Sequence, residues 1–120
     1  MKRIEISVID PQEEQQALLA WAARVDAGET VGSAKARLSF ASYKQLHEAL
    51  TEKRMYLLEY VAQHEGLNIR QLAASLERDY KNVYEDVQLL SELELIEKRD
   101  SGLFAPYDDI NIHKTLRKAA

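Results

Sequence analysis

Polar and apolar side chains alternate over residues 2–9, with Ile4, Ile6 and Val8 on one side and β-branched residues prominent. That period of two predicts a half-buried strand. At Asp10-Pro11 the period changes. Asp10 suits the cap of a helix, and Pro11 loses nothing at a first helical position, where the N–H has no partner in any case. Leu18, Trp21, Ala22 and Val25 then recur at spacings of three and four. They predict a helix with one apolar face, running to about Ala27 and stopped by Gly28.

Residues 28–37 carry Gly28, Thr30, Gly32 and Ser33 without a clear period and read as a joint. From Leu38 the pattern tightens: Ser42, Tyr43, Leu46 and Leu50 fit a short helix. Thr51 is a fresh cap ahead of Met55, Leu58, Val61 and Ala62, and Gly66 closes that helix. Ile69, Leu72, Ala73 and Leu76 give two further turns. After the break Glu77-Arg78-Asp79, with Asp79 as cap, Val83, Val87, Leu90 and Leu93 mark a longer helix. Ile96-Glu97-Lys98-Arg99 and Leu103-Phe104-Ala105 flank Asp100-Ser101-Gly102, a hairpin pattern.

Short helix, tight turn, longer helix and hairpin follow one another in the order of a winged helix-turn-helix. The expected fold class is therefore α+β, mainly α: a winged helix-turn-helix over residues 34–112. A strand–helix extension over residues 1–33 precedes it, and a basic tail over residues 113–120, with His113, Lys114, Arg117 and Lys118, follows it.

Composition narrows the function. The 120 residues include no cysteine, so thiol chemistry, disulfides and thiolate metal sites are excluded. No apolar run approaches the ~20 residues that span a bilayer. The Met1-Lys2-Arg3-Ile4-Glu5 start lacks the pattern of a signal peptide, which makes the expected location cytoplasmic and a membrane partner unexpected. A net charge of −4 disfavours a general nucleic-acid coating protein but leaves room for a reader with a local basic patch.

A helical projection at about 100° per residue finds that patch's place. Over residues 80–93, Val83, Val87, Leu89, Leu90 and Leu93 fall on one arc. Lys81, Glu85, Gln88 and Glu92 fall opposite, with Asn82 and Tyr84 at the edges. The second helix of a helix-turn-helix enters the major groove by its N-terminal residues. Lys bonds guanine O6 and N7, Asn pairs with adenine, and Glu accepts from cytosine N4. The candidate DNA-binding residues are Arg70, Gln71, Arg78, Lys81, Asn82, Tyr84, Glu85 and Gln88, joined by Lys98 and Arg99 on the hairpin. The same residue types also make an ordinary solvated helix face, and Lys98-Arg99 an ordinary charged strand edge.

Residues 50–54, then Ile69-Arg70-Gln71-Leu72-Ala73, Lys81-Asn82-Val83-Tyr84-Glu85-Asp86-Val87 and Leu93-Glu94-Leu95-Ile96-Glu97, resemble the MarR-related DNA-binding proteins of bacteria and archaea. The resemblance extends to Phe40-Ala41-Ser42-Tyr43 and to Pro106-Tyr107-Asp108-Asp109-Ile110. Such proteins are often encoded beside a small toxin of the TumE type. The resemblance thus implies a homodimeric repressor of its own operon that neutralises a small basic toxin. The alternatives are a stand-alone MarR-like regulator without a toxin and a winged-helix interaction module that does not bind DNA. Glu94 departs from the family, which usually has Gly there; if the position needs a positive φ, Glu94 carries strain.

Elsewhere the chemistry is thin. His47, His64 and His113 lack metal-site spacing, no Gly-rich loop follows a strand, and Asp108-Asp109 suits a turn cap better than acid–base work. No metal, cofactor or enzymatic activity is expected. An isolated strand and helix cannot bury both faces unaided. Ile4, Ile6, Val8, Leu18, Trp21 and Val25 are therefore the expected dimer or partner contacts.

Overall fold

The computed structural model describes residues 2–9, 11–26 and 36–117. The fold is mixed α/β, about half helical. In chain order the elements are β1 (Arg3–Val8), α1 (Pro11–Asp26), β2 (Ala36–Phe40), α2 (Tyr43–Ala49), α3 (Glu52–Gln63), α4 (Ile69–Leu76), α5 (Tyr80–Glu92), β3 (Glu97–Arg99), β4 (Gly102–Phe104) and β5 (Asp109–Lys114). They divide into two compact units, one of Met1–Lys2 with Glu48–Asp109, the other of Arg3–His47 with Ile110–Ala120.

The second unit holds a three-stranded sheet in the order β2-β1-β5. The β1 alternation works as expected, with Ile4, Ile6 and Val8 buried between exposed or half-buried neighbours. β2 runs parallel to β1, setting Ile4 against Ala36, Ile6 against Leu38 and Val8 against Phe40. Parallel neighbours need a long crossover, and α1 lies in it.

This sheet corrects two expectations. Ala36–Phe40 and Asp109–Lys114 are strands, where the sequence reading had a joint, the start of a helical stretch, a turn cap and a tail. β1 is therefore not isolated. Ile4, Ile6 and Val8 are covered by their own chain, Ile6 completely, and present nothing to a second copy or partner. Leu18 on α1 is exposed, as is its neighbour Leu19. The side chains of Trp21 and Val25, the joint at Gly28–Ser33 and Lys118 lie outside the described residues.

The first unit packs α3, α4, α5 and the β3–β4 hairpin around Leu57, Val61, Leu72, Val83, Val87, Leu90, Leu95 and Leu103. Thr51 caps α3 as its sequence promises, its hydroxyl accepting from the Arg54 N–H at 3.3 Å. The buried face of α3 is Leu57, Leu58 and Val61; Met55 is half-buried and Ala62 exposed, so the face is rotated from the expected one. β3 and β4 pair antiparallel across a tight turn at Asp100-Ser101, with Lys98 opposite Leu103. β4 also bonds on its other side, where the Gly66 N–H donates to Leu103 O and the Leu103 N–H to Leu67 O, both at 2.9 Å. Gly102 has φ 129°, and a Cβ there would stand 2.3 Å from the Gly66 carbonyl oxygen. Only glycine fits.

Candidate functional site

α4 opens with a reciprocal cap. Asn68 Oδ1 accepts from the Gln71 N–H at 2.8 Å, and Gln71 Oε1 accepts from the Asn68 N–H at 3.0 Å. Gln71 thus spends its side-chain oxygen on its own helix. The helix ends at Glu77 in the left-handed region, φ 53°, which lets the Arg78 N–H reach back to Ala73 O at 3.0 Å. Asp79 then caps α5, accepting from the Asn82 N–H at 3.4 Å. That carboxylate already answers the positive end of the α5 dipole.

From this start Lys81, Asn82, Tyr84 and Glu85 are exposed, and Gln88 is half-exposed. Val83, Val87 and Leu90 are fully buried, so the projected phase of the helix holds. Asp86 shares their face and is buried too, as sequence reading missed. Its helical phase alone could have revealed it, since a carboxylate on an apolar arc needs partners.

Asp86 has two. Arg54 Nε donates to Oδ1 at 3.0 Å and Arg78 Nη2 to Oδ2 at 2.7 Å. Arg54 Nη1 also donates to the carbonyls of Glu48 and Ala49, at 2.9 and 3.0 Å, where the C-terminus of α2 favours a cation. Arg78, expected to face DNA from the turn, is thus turned inward. A half-buried guanidinium gains more from the carboxylate beside it than from reaching into water. It positions the turn and leaves the outer face to its neighbours.

The outer face has a different core: tyrosine. Tyr80 and Tyr84, one turn apart on α5, are both exposed and stack at 6.2 Å with their planes 27° apart. The Arg70 guanidinium lies 6.0 Å from the Tyr80 ring, and Lys98 Nζ lies 5.7 Å from the Tyr84 ring. Cation, ring, ring and cation therefore follow one another from α4 across α5 to the hairpin, at distances where ring faces attract cations. Arg99 stands apart from this row. Its guanidinium packs 4.3 Å from the Phe104 ring and is held by Glu97 at 2.6 and 3.0 Å, which offsets its charge.

Beside the row lies an open cleft of about 540 Å³, lined by the start of α4 with Arg70 and Gln71, by Tyr80, and by the hairpin from Lys98 to Leu103. Arg70, Gln71, Lys98 and Arg99 thus come together, with Tyr80 added as a residue not anticipated.

The histidines have local roles. His64 stacks on Tyr60 at 4.1 Å, His47 lies 5.9 Å from Tyr43, and His113 Nε2 is 3.0 Å from Thr115 Oγ1. Among the described residues no group of three or more metal-binding side chains is placed to hold an ion. None of the described helices is long and apolar enough to cross a membrane.

Fold and surface together define a small α/β protein with an exposed cationic and aromatic face built by two helices and a hairpin. A family model described as HVO_A0114 matches residues 49–112, more than half of the chain. The chain belongs to that family. The matched range takes in α3, α4, α5 and both hairpin strands, and its description names neither a MarR-related protein nor an antitoxin. No curated protein matches the chain.

Proposed function

We propose that the protein is a winged helix-turn-helix repressor that reads double-stranded DNA with α5. In this reading α4 is the first helix of the motif and Glu77-Arg78-Asp79 its turn. The β3–β4 hairpin is the wing. Lys81 and Asn82 reach base edges in the major groove, with Glu85 one turn further along. Arg70 and Lys98, at the two ends of the tyrosine row, bond backbone phosphates, which position the protein without reading sequence. Arg99 contributes less, because Glu97 must release it first.

The observation that carries this reading is the row Arg70, Tyr80, Tyr84, Lys98. It sets cations from α4 and the hairpin on either side of the exposed first two turns of α5. An acidic chain with such a local strip suits a specific reader better than a general one.

Titrating a labelled fragment of its own promoter at several salt concentrations tests the reading. Binding that prefers the promoter over scrambled DNA and weakens with salt supports it; no binding at low salt overturns it. Repression as a homodimer, and an antitoxin role toward a small basic toxin, draw their support from the resemblance of residues 38–112 alone. Co-expression with the product of the neighbouring gene, followed by co-purification, tests the toxin partnership.

A further inference from the structure

Tyr80 and Tyr84 keep 48% and 41% of their surface exposed, although rings of that size are ordinarily buried to a greater extent. At about 100° per residue, Lys81 and Glu85 stand about 100° around α5 from Tyr80 and Tyr84, and Asn82 further still. The rings therefore flank the base-reading residues, on the side of Arg70 and the hairpin. Reading base edges in a groove makes no use of a ring face, because paired bases cover one another's faces in the stack. An unpaired base offers its face freely, and every base has one.

The charges beside the rings suit a strand of phosphates. Neither Arg70 nor Lys98 has a carboxylate partner among the described residues, whereas Arg99 is held by Glu97. At 6.0 and 5.7 Å both cations sit near the outer limit of a cation–ring contact, so a base can take the ring face while the cation moves to a phosphate. The cleft of about 540 Å³ opens beside Tyr80, and of its lining residues Asp100 alone is acidic, against Arg70, Lys98 and Arg99. Tyrosine and arginine also anchor protein interfaces. Unpaired cations at both ends of the ring pair match a polyanion better than the mixed charge of a protein surface.

We propose that Arg70, Tyr80, Tyr84 and Lys98 form a binding site for single-stranded nucleic acid, with bases stacked on the two tyrosines and flanking phosphates held by the two cations. The site shares those cations with the proposed duplex reader but makes no use of Lys81, Asn82 or Glu85, so either reading can fail without the other.

Fluorescence anisotropy with the full-length chain tests it, using a short labelled oligodeoxythymidine, its oligouridine counterpart and an abasic strand of the same length. The wild type is expected to bind the thymidine or the uridine strand, more weakly as salt rises. The abasic strand is expected to bind about a hundredfold more weakly, two stacked bases being lost at roughly tenfold each. Tyr80→Leu with Tyr84→Leu is expected to show the same loss on the base-bearing strand, whereas Tyr80→Phe with Tyr84→Phe, which keeps both rings, binds like the wild type. Lys81→Ala with Asn82→Ala is expected to keep the single strand while losing promoter preference. Melting curves verify that the variants remain folded, and the abasic comparison needs the wild type alone. No binding of either base-bearing strand at low salt, an abasic strand held as tightly, a folded leucine variant that binds like the wild type, or a phenylalanine variant as weak as the leucine one would each overturn the proposal. A wild type that holds the single strand but shows no affinity for its promoter supports this site and overturns only the duplex reading.

Discussion

Asp86 and Arg78 lie eight residues apart and meet at 2.7 Å, closing the turn between α4 and α5 from the inside. The same carboxylate holds Arg54 of α3, so one buried charge ties three segments. Asp86→Ala should cost about 3 kcal/mol in a denaturant melt. That is the low end for breaking a buried pair, because both arginine side chains keep about a fifth of their surface exposed. A variant that melts like the wild type would show that the pair contributes no net stability.

On the outer side of the same helix, Lys81→Ala with Asn82→Ala should leave the melt nearly unchanged, since both residues are exposed. Under the proposed function the double variant loses operator preference, at about 1–3 kcal/mol for each base contact. Retained discrimination between operator and scrambled DNA in a competition titration would place α5 outside the groove.

Under the proposed function, salt dependence separates the basic residues. Lys98→Ala should reduce the slope of log affinity against log salt by about 1, the effect of one phosphate contact. Arg99→Ala should change it less, because Glu97 already offsets that charge. Equal slopes for the two variants would mean that the Glu97 pair does not persist on DNA.

Glu94 has φ 62°, so the position following α5 does require the left-handed region. Glu94→Gly should raise stability by about 0.5–1 kcal/mol, relieving the side-chain penalty less glycine's extra chain entropy. Glu94→Val should lower it by about 1–2 kcal/mol. Calorimetric melts of the pair read both signs, and a glycine variant no more stable than the wild type would show the glutamate to be held there without strain.

The other tight backbone site is Gly102. An added Cβ would strike backbone atoms of Gly66, which no rotamer change can move aside. Gly102→Ala should cost about 2–3 kcal/mol through positive φ and overlap together. Loss of amide protection at Leu103, whose N–H donates to Leu67, is the accompanying exchange signal.

Much of the helical unit was legible in the sequence because its signals are local. The spacing of Val83, Val87 and Leu90 gave the phase of α5, Thr51 and Asp79 gave their caps, and Gly102 gave the hairpin turn. The cleft residues Arg70, Gln71, Lys98 and Arg99 were also named from sequence. Arg78 could not be oriented that way, because its direction depends on Asp86 and on the space left by α3. β2 and β5 went unread for another reason. Leu38 with Phe40, and Ile110 with Ile112, do alternate, but each pair is short and sits beside turn-like residues. What makes them strands is β1, far away in sequence.

Lys2 and Asp108 are 106 positions apart, yet the Lys2 N–H donates to Asp108 Oδ2 at 2.9 Å and the Asp108 N–H to Lys2 O at 2.8 Å. β1 starts one residue after the first and β5 one residue after the second. The whole run of helices and hairpin is therefore nested between strands of a single sheet. Its contacts are mostly local, so it has the shorter kinetic path, while β5 must close a long loop to find β1. On refolding, the Lys2–Asp108 clasp is expected to form after the nested helices, because its loop is the longer one to close. Joining β5 to the sheet is then expected to be the late event, while β1 and β2 can pair across their own shorter crossover.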